Sequence, residues 1–177
     1  FYMPHSFFIS DFGLDPSYNG GEDPFDVSMQ ALRELTMRFT AEFAIRPFLI
    51  DQQERTLAQV TQWLSDPNPH VRRLCSEGTR PKLPWGKRIQ SFVGNPQPTL
   101  PILEYLKNDE SLYVRRSVAN HLGDIAKDHP EIAFSTCERW LQAGASSELK
   151  WVVRHAVRYH AKKGDARALE IRVKAKV

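Results

Sequence analysis

Cysteine is scarce: only Cys75 and Cys137 occur among 177 residues, too few for a disulfide framework, and neither lies in a CxxC pair or a Cys/His array of zinc spacing. Long apolar runs are missing as well. None approaches the roughly 20 residues that a membrane-crossing helix requires, and the first residues, FYMPHSFFIS, lack the positive start of a secretory signal. The phosphate-cradling patterns GxGxxG and Walker A do not occur, nor do HExxH and GxSxG, so nucleotide-driven, metal-hydrolase and serine-hydrolase chemistries lose their usual carriers. Lysine and arginine are absent from residues 1–30, which hold the acids Asp11, Asp15, Glu22, Asp23 and Asp26. These absences lead us to expect a soluble, cytoplasmic protein with no metal and no cofactor.

Basic charge is instead gathered later in the chain. Residues 70–90 carry six Lys/Arg against the single acid Glu77, and residues 150–163 carry five with no acid. Two such clusters at related positions favour a surface for phosphate. The 41% hydrophobic content is enough for a compact core.

The chain repeats itself. DPNPHVRRLCSEG, NDESLYVRRSVANHLGDIAKD and ASSELKWVVRHAVRYHAKKGD each run from a polar turn into Val-Arg-Arg or Val-Arg-His, with Val71, Val114 and Val153 spaced 43 and 39 residues apart. That period, close to 40–47 residues, is the one expected of HEAT-type helix pairs. Amphipathic stretches precede each turn, and apolar residues recur at three and four positions, as in Val114, Val118, Leu122 and Ile125. The sequence therefore predicts an all-α fold, a right-handed solenoid of antiparallel helix pairs over residues 24–165. Residues 1–23 are expected to be irregular, and residues 166–177 to form a tail or helix.

At 100° per residue, Arg116, Asn120 and Asp124 fall in one column opposite the apolar stripe of their helix, and Arg73 and Glu77 take the places of Arg116 and Asn120 one repeat earlier. His155 and Tyr159 take them one repeat later. Arg38, Glu42 and Arg46 have the same spacing in an earlier pair, with Pro47 expected to bend or end that helix. Glu42, Glu77 and Asp124 would share one groove if the helices are staggered, because Glu77 matches Asn120 while Asp124 sits a turn further on. His121 lies on the apolar stripe and reads as a core histidine. Trp63, Trp140 and Cys75 read as packing residues, and Asp66 and Asp109 as turn and cap residues.

The stretches RFTAEFAIRPFL (38–49), DPNPHVRRLCSEGTRPKLPW (66–85), YVRRSVANHLGDIAKDHPE (113–131) and WVVRHAVRYHAKKGD (151–165) resemble, in that order, the bacterial DNA alkylation repair glycosylases built from HEAT-like repeats, AlkC and AlkD, and more specifically the AlkC branch. The resemblance implies a piece of a longer chain that lacks further N-terminal helices. It also implies a monomer acting on double-stranded DNA with no obligate protein partner, excising cationic bases such as 3-methyladenine and 3-methylcytosine without flipping them out. Carried over residue by residue, it places catalytic carboxylates at Glu77, Asp124 and Glu42, and base or sugar contacts at Trp85, Asn120 and Trp151. DNA contacts fall at Arg72, Arg73, Arg80, Lys82, Lys87, Arg116, Arg154, His155, Arg158 and Lys162. The residues alone reach less far, to a helical repeat with a basic, carboxylate-bearing face, and a non-catalytic scaffold for nucleic acid or protein has the same signature.

Overall fold

A computed structural model describes residues 2–142 and 144–176. Among these residues every regular element is helical, and no helix is long and apolar enough to cross a membrane. The chain divides into two compact units, Phe1–Ser91 and Phe92–Val177.

The first unit contains α1 (Met3–Phe12), a 3-10 turn (Pro16–Asn19), α2 (Phe25–Arg38), α3 (Arg46–Asp51), α4 (Gln53–Trp63) and α5 (Pro69–Gly78). The short α6 (Gln90–Gly94) lies at the division. Residues 3–12, expected to be irregular, are helical: Pro4 stands in the first turn, where its missing N–H costs nothing. No α1 residue is buried, so the periodicity that betrays an amphipathic helix was never there to read. A second departure concerns residues 40–49. Rather than one helix carrying Arg38, Glu42 and Arg46 in a column, α2 ends at Arg38, a turn follows, and Pro47 opens α3 instead of ending a helix. Proline is tolerated at a helix start for the reason that it is excluded from the interior.

The second unit contains a 3-10 turn (Gln97–Thr99), α7 (Leu100–Leu106), α8 (Leu112–Asp128), α9 (Pro130–Gln142), α10 (Ser147–Ala156), α11 (Arg158–Lys162) and α12 (Ala166–Lys174). Residues 166–174 are thus the last helix of the unit, packed on α9, α10 and α11. Val114, Val118, Leu122 and Ile125 are buried as the spacing requires. Gly123 lets α10 approach: a Cβ there would stand 3.1 Å from the Ala156 carbonyl oxygen.

The repeat signature has a structural cause. In α4–α5 the Asp66 carboxylate accepts the Asn68 N–H at 2.8 Å, and in α7–α8 Asp109 accepts the Ser111 N–H at 2.8 Å. The first arginine of each Val-Arg-Arg then reaches back to the same turn. Arg72 donates to the carbonyls of Asp66 and Pro67 at 2.9 and 3.1 Å, and Arg115 to those of Asp109 and Glu110 at 2.7 and 2.9 Å. These turns expose carbonyls that no helix satisfies, and the guanidinium supplies the missing donors.

Candidate functional site

In the first unit, α5 packs between α2 and α4 with Val71, Leu74 and Cys75 inward. Burial pushes the Cys75 thiol far above its ordinary range and that of Cys137 up to about 12, so both are inert packing groups. The same helix carries Glu77, which is 6% exposed. Its Oε1 accepts from Arg80 Nη1 at 2.6 Å and lies 3.5 Å from Arg73 Nη2. Arg73 Nη1 reaches Glu42 Oε2 at 3.0 Å and donates to Thr40 Oγ1 at 3.2 Å. The structure therefore brings together Glu42, Arg73, Glu77 and Arg80 as an alternating chain of two carboxylates and two guanidinium groups. Arg80 is 7% exposed and is a partner of Glu77. Arg72 is likewise 8% exposed and engaged with turn carbonyls.

Beyond α5 the chain makes a loop, and its organiser is Arg46, which is 1% exposed. Arg46 Nη1 donates to the carbonyls of Gly78 and Arg80 at 3.0 and 2.9 Å, Nη2 to Pro81 at 3.4 Å, and Nε to Lys87. The Gly86 N–H bonds the Leu83 carbonyl at 3.1 Å, closing a tight turn with Pro84 and Trp85 at its centre. Leu83 and Ile89 anchor the loop in the core. Trp85 has φ +62°, the left-handed region, and is 99% exposed. That backbone region belongs to glycine at this place in a Pro-led turn, and a bulky residue held there costs about 1–3 kcal/mol. Lys82 is half-buried on the same loop, and Lys87 is exposed.

In the second unit Asp124 is 3% exposed and lies 3.0 Å from Lys127 Nζ. The expected exposed column of α8 is thus corrected. Arg116 is exposed, Asn120 half-buried and Asp124 buried, because α7, α9 and α10 all pack on this helix. Asn120 Oδ1 meets His155 Nε2 at 3.1 Å and accepts from Arg158 Nη2 at 3.0 Å. The His155 ring stacks on Trp151, with centroids 4.9 Å apart and planes at 15°. Burial, then the nearby Arg158 and Arg116, lowers the His155 pKa from 6.5 to about 4. Across that window the unfolded chain takes up a proton that the folded one refuses, so this residue makes stability fall as pH drops from about 6.5 towards 4. Replacing His155 by asparagine should flatten that part of the stability profile, measured by urea unfolding at a series of pH values. His121 is fully buried, and Trp63 and Trp140 are core.

The loop-organising role of Arg46 and the place of Arg172 beside Trp151 and His155 were not read from the sequence. Arg46 had a signal, a lone cation inside the apolar run FAIRPFLI. Arg172 of α12 had none beyond its charge.

No protein-family model matches the chain. The Pseudomonas fluorescens alkylpurine DNA glycosylase AlkC, solved bound to DNA containing an abasic site analog, matches 94% of this chain and 45% of its own, at 47% identity and a TM-score of 0.83. The chain is similar to this AlkC along nearly all of its own length. Uncharacterized protein YhaZ of Bacillus subtilis (strain 168) is 48% identical over 147 residues, 83% of this chain and 41% of that protein. The chain thus spans less than half the length of both relatives. Within this chain the loop bearing Trp85 and the α5 carboxylate Glu77 come from one continuous segment.

Proposed function

We propose that this chain carries the chemistry of a DNA glycosylase that hydrolyses the N-glycosidic bond of cationic alkylated bases, of the 3-methyladenine and 3-methylcytosine type, in duplex DNA and without base flipping. A base alkylated at a ring nitrogen already bears positive charge. When the C1′–N bond breaks, its electron pair stays with the base and neutralises it, so no general acid is needed. The sugar is left as an oxocarbenium-like cation, and water adds to C1′ and gives up a proton.

Glu77 is the carboxylate we assign to the sugar cation and the water, by the electrostatic logic of glycosidases. Asp124 and Glu42 are further candidate carboxylates, with Arg73 as the organiser. Trp85, Asn120 and Trp151 are proposed base or sugar contacts, and Lys82, Lys87, Arg116, Arg154, His155, Arg158 and Lys162 proposed backbone contacts. The observation that carries the reading is the juxtaposition, within residues 77–85, of a buried carboxylate and a tryptophan turned wholly to solvent in a strained conformation. The 47% identity to a protein described as an alkylpurine DNA glycosylase supports it. The test is release of 3-methyladenine from duplex DNA; no release above the spontaneous rate by the full-length protein would sink the reading.

Trp85 separates function from fold. Trp85→Gly relieves a left-handed tryptophan that packs on nothing, so its thermal midpoint should stay level or rise by a few degrees, about 1 kcal/mol. Duplex affinity should fall about 5- to 100-fold, the range of one lost stacking contact. Calorimetry and fluorescence anisotropy read the two effects, and a lower midpoint with unchanged affinity would make Trp85 a packing residue.

A further inference from the structure

The second unit holds a recess of about 430 Å³ lined by Trp151, Arg154, His155, Arg158, Lys162 and Arg172. Its composition is one-sided: four permanent cations, a stacked indole–imidazole pair, and no carboxylate among the described lining residues. Elsewhere in the molecule arginines pair with acids, as Arg33 does with Asp66, Arg55 with Asp23 and Arg139 with Glu104. Like charges gathered in a concave site repel one another, and a bound anion would relieve that repulsion.

One of the cations, Arg158, is held by hydrogen bonds, and the others line the same recess. Trp151, Arg154, His155, Arg158 and Lys162 follow one another at three- and four-residue steps along α10 and α11, so they share a side. Arg158 is fixed by donating to the His155 carbonyl at 2.6 Å and to Asn120 Oδ1 at 3.0 Å. The remaining member comes from a different element. Arg172 stands on α12, whose Asp165 cap accepts the Ala168 N–H at 2.8 Å and whose Ala168, Ile171 and Ala175 are buried. Arg167 clamps that helix to α9 through two bonds to Glu138, at 2.9 and 2.8 Å, and one to Glu131 at 2.5 Å. Arg172 is thereby delivered to the recess by a helix that is itself locked down.

We propose that this recess seats one backbone phosphate of duplex DNA, with Arg154 and Lys162 on one side and Arg172 closing the other, so that α12 is part of the DNA-binding surface. This rests on the DNA-glycosylase reading. The Trp151–His155 stack supplies the wall against which the adjoining deoxyribose packs. His155 suits that place because it stays neutral at ordinary pH and so adds no further repulsion.

The test is the salt dependence of the full chain's affinity for an undamaged duplex, with Arg172→Ala, Arg172→Lys and, on the same helix but outside the recess, Lys174→Ala. Neutralising a phosphate contributes about 0.9 to the slope of log affinity against log salt. Arg172→Ala should therefore lose about one unit of slope, Arg172→Lys should keep it, and Lys174→Ala should behave as the parent. A full slope in Arg172→Ala, with circular dichroism confirming its fold, overturns the proposal and leaves the glycosylase reading standing. Failure of the parent chain to bind duplex at all removes both. Inorganic phosphate displacing the duplex no better than chloride at equal ionic strength agrees with a strand-borne phosphate; selective displacement by inorganic phosphate marks a free-anion site and overturns it.

Discussion

Glu77→Gln should lower release of 3-methyladenine by about 100- to 1000-fold, the cost of removing one electrostatic partner of a developing charge, while duplex affinity changes by less than about threefold. Glutamine keeps the size of the side chain and an oxygen for Arg80, but it has no charge to offer an oxocarbenium-like sugar. Substrate binding by phosphate contacts is untouched, so the loss falls on the chemical step rather than on the Michaelis constant. The same change leaves Arg73 and Arg80 facing a neutral group in a buried cluster, and breaking such a pair destabilises by about 3–5 kcal/mol. Single-turnover kinetics at saturating protein, with urea unfolding of the same preparation, separates chemistry from stability. A folded Glu77→Gln protein that excises at the parent rate would leave Glu77 as a packing ion pair and move the chemistry elsewhere.

Arg46→Met should cost about 3–5 kcal/mol of unfolding free energy, among the largest losses open to any single side chain here. Methionine matches the length and the burial of the stem but offers no donor. The carbonyls of Gly78, Arg80, Pro81 and Lys87 would lose the partner that the guanidinium now provides, at about 1–3 kcal/mol for each one left unsatisfied, reduced where water enters. The loop should then exchange its amide hydrogens faster than α5 does, and the Ile89 N–H, bonded to Pro81, is the reporter. A loss below about 1 kcal/mol in denaturant unfolding would show that the loop holds its shape without Arg46.

The helices were legible wherever a face is buried. Val60 and Trp63 on one helix and Val114, Val118, Leu122 and Ile125 on another are core residues at helical spacing, and Pro130 marks the restart after α8. The helix α1 was not legible because it buries nothing. Residues 40–46 misled because a four-residue spacing of Arg38, Glu42 and Arg46 mimics a helix face across a turn. For the site, sequence spacing correctly tied Arg73 to Glu77 but gave no depth: it treated Asp124 as solvent-facing and did not show that Arg72 and Arg80 are buried. Depth depends on what packs over a helix, and that lies in other repeats. The doubled arginine reads as a phosphate grip by charge alone, while in the structure its first member fastens a turn.

The carbonyl oxygens that converge on Arg46 form the kind of oxygen cage with which other loops hold a hard metal ion such as calcium. Here the cation is tethered to the chain by its own side chain, with a charge that persists at every physiological pH. A chelator has nothing to extract, and dilution cannot empty the cage. The turn that presents Trp85 is consequently indifferent to the ionic composition of the medium, whereas the phosphate contacts we assign around it weaken with every increment of salt.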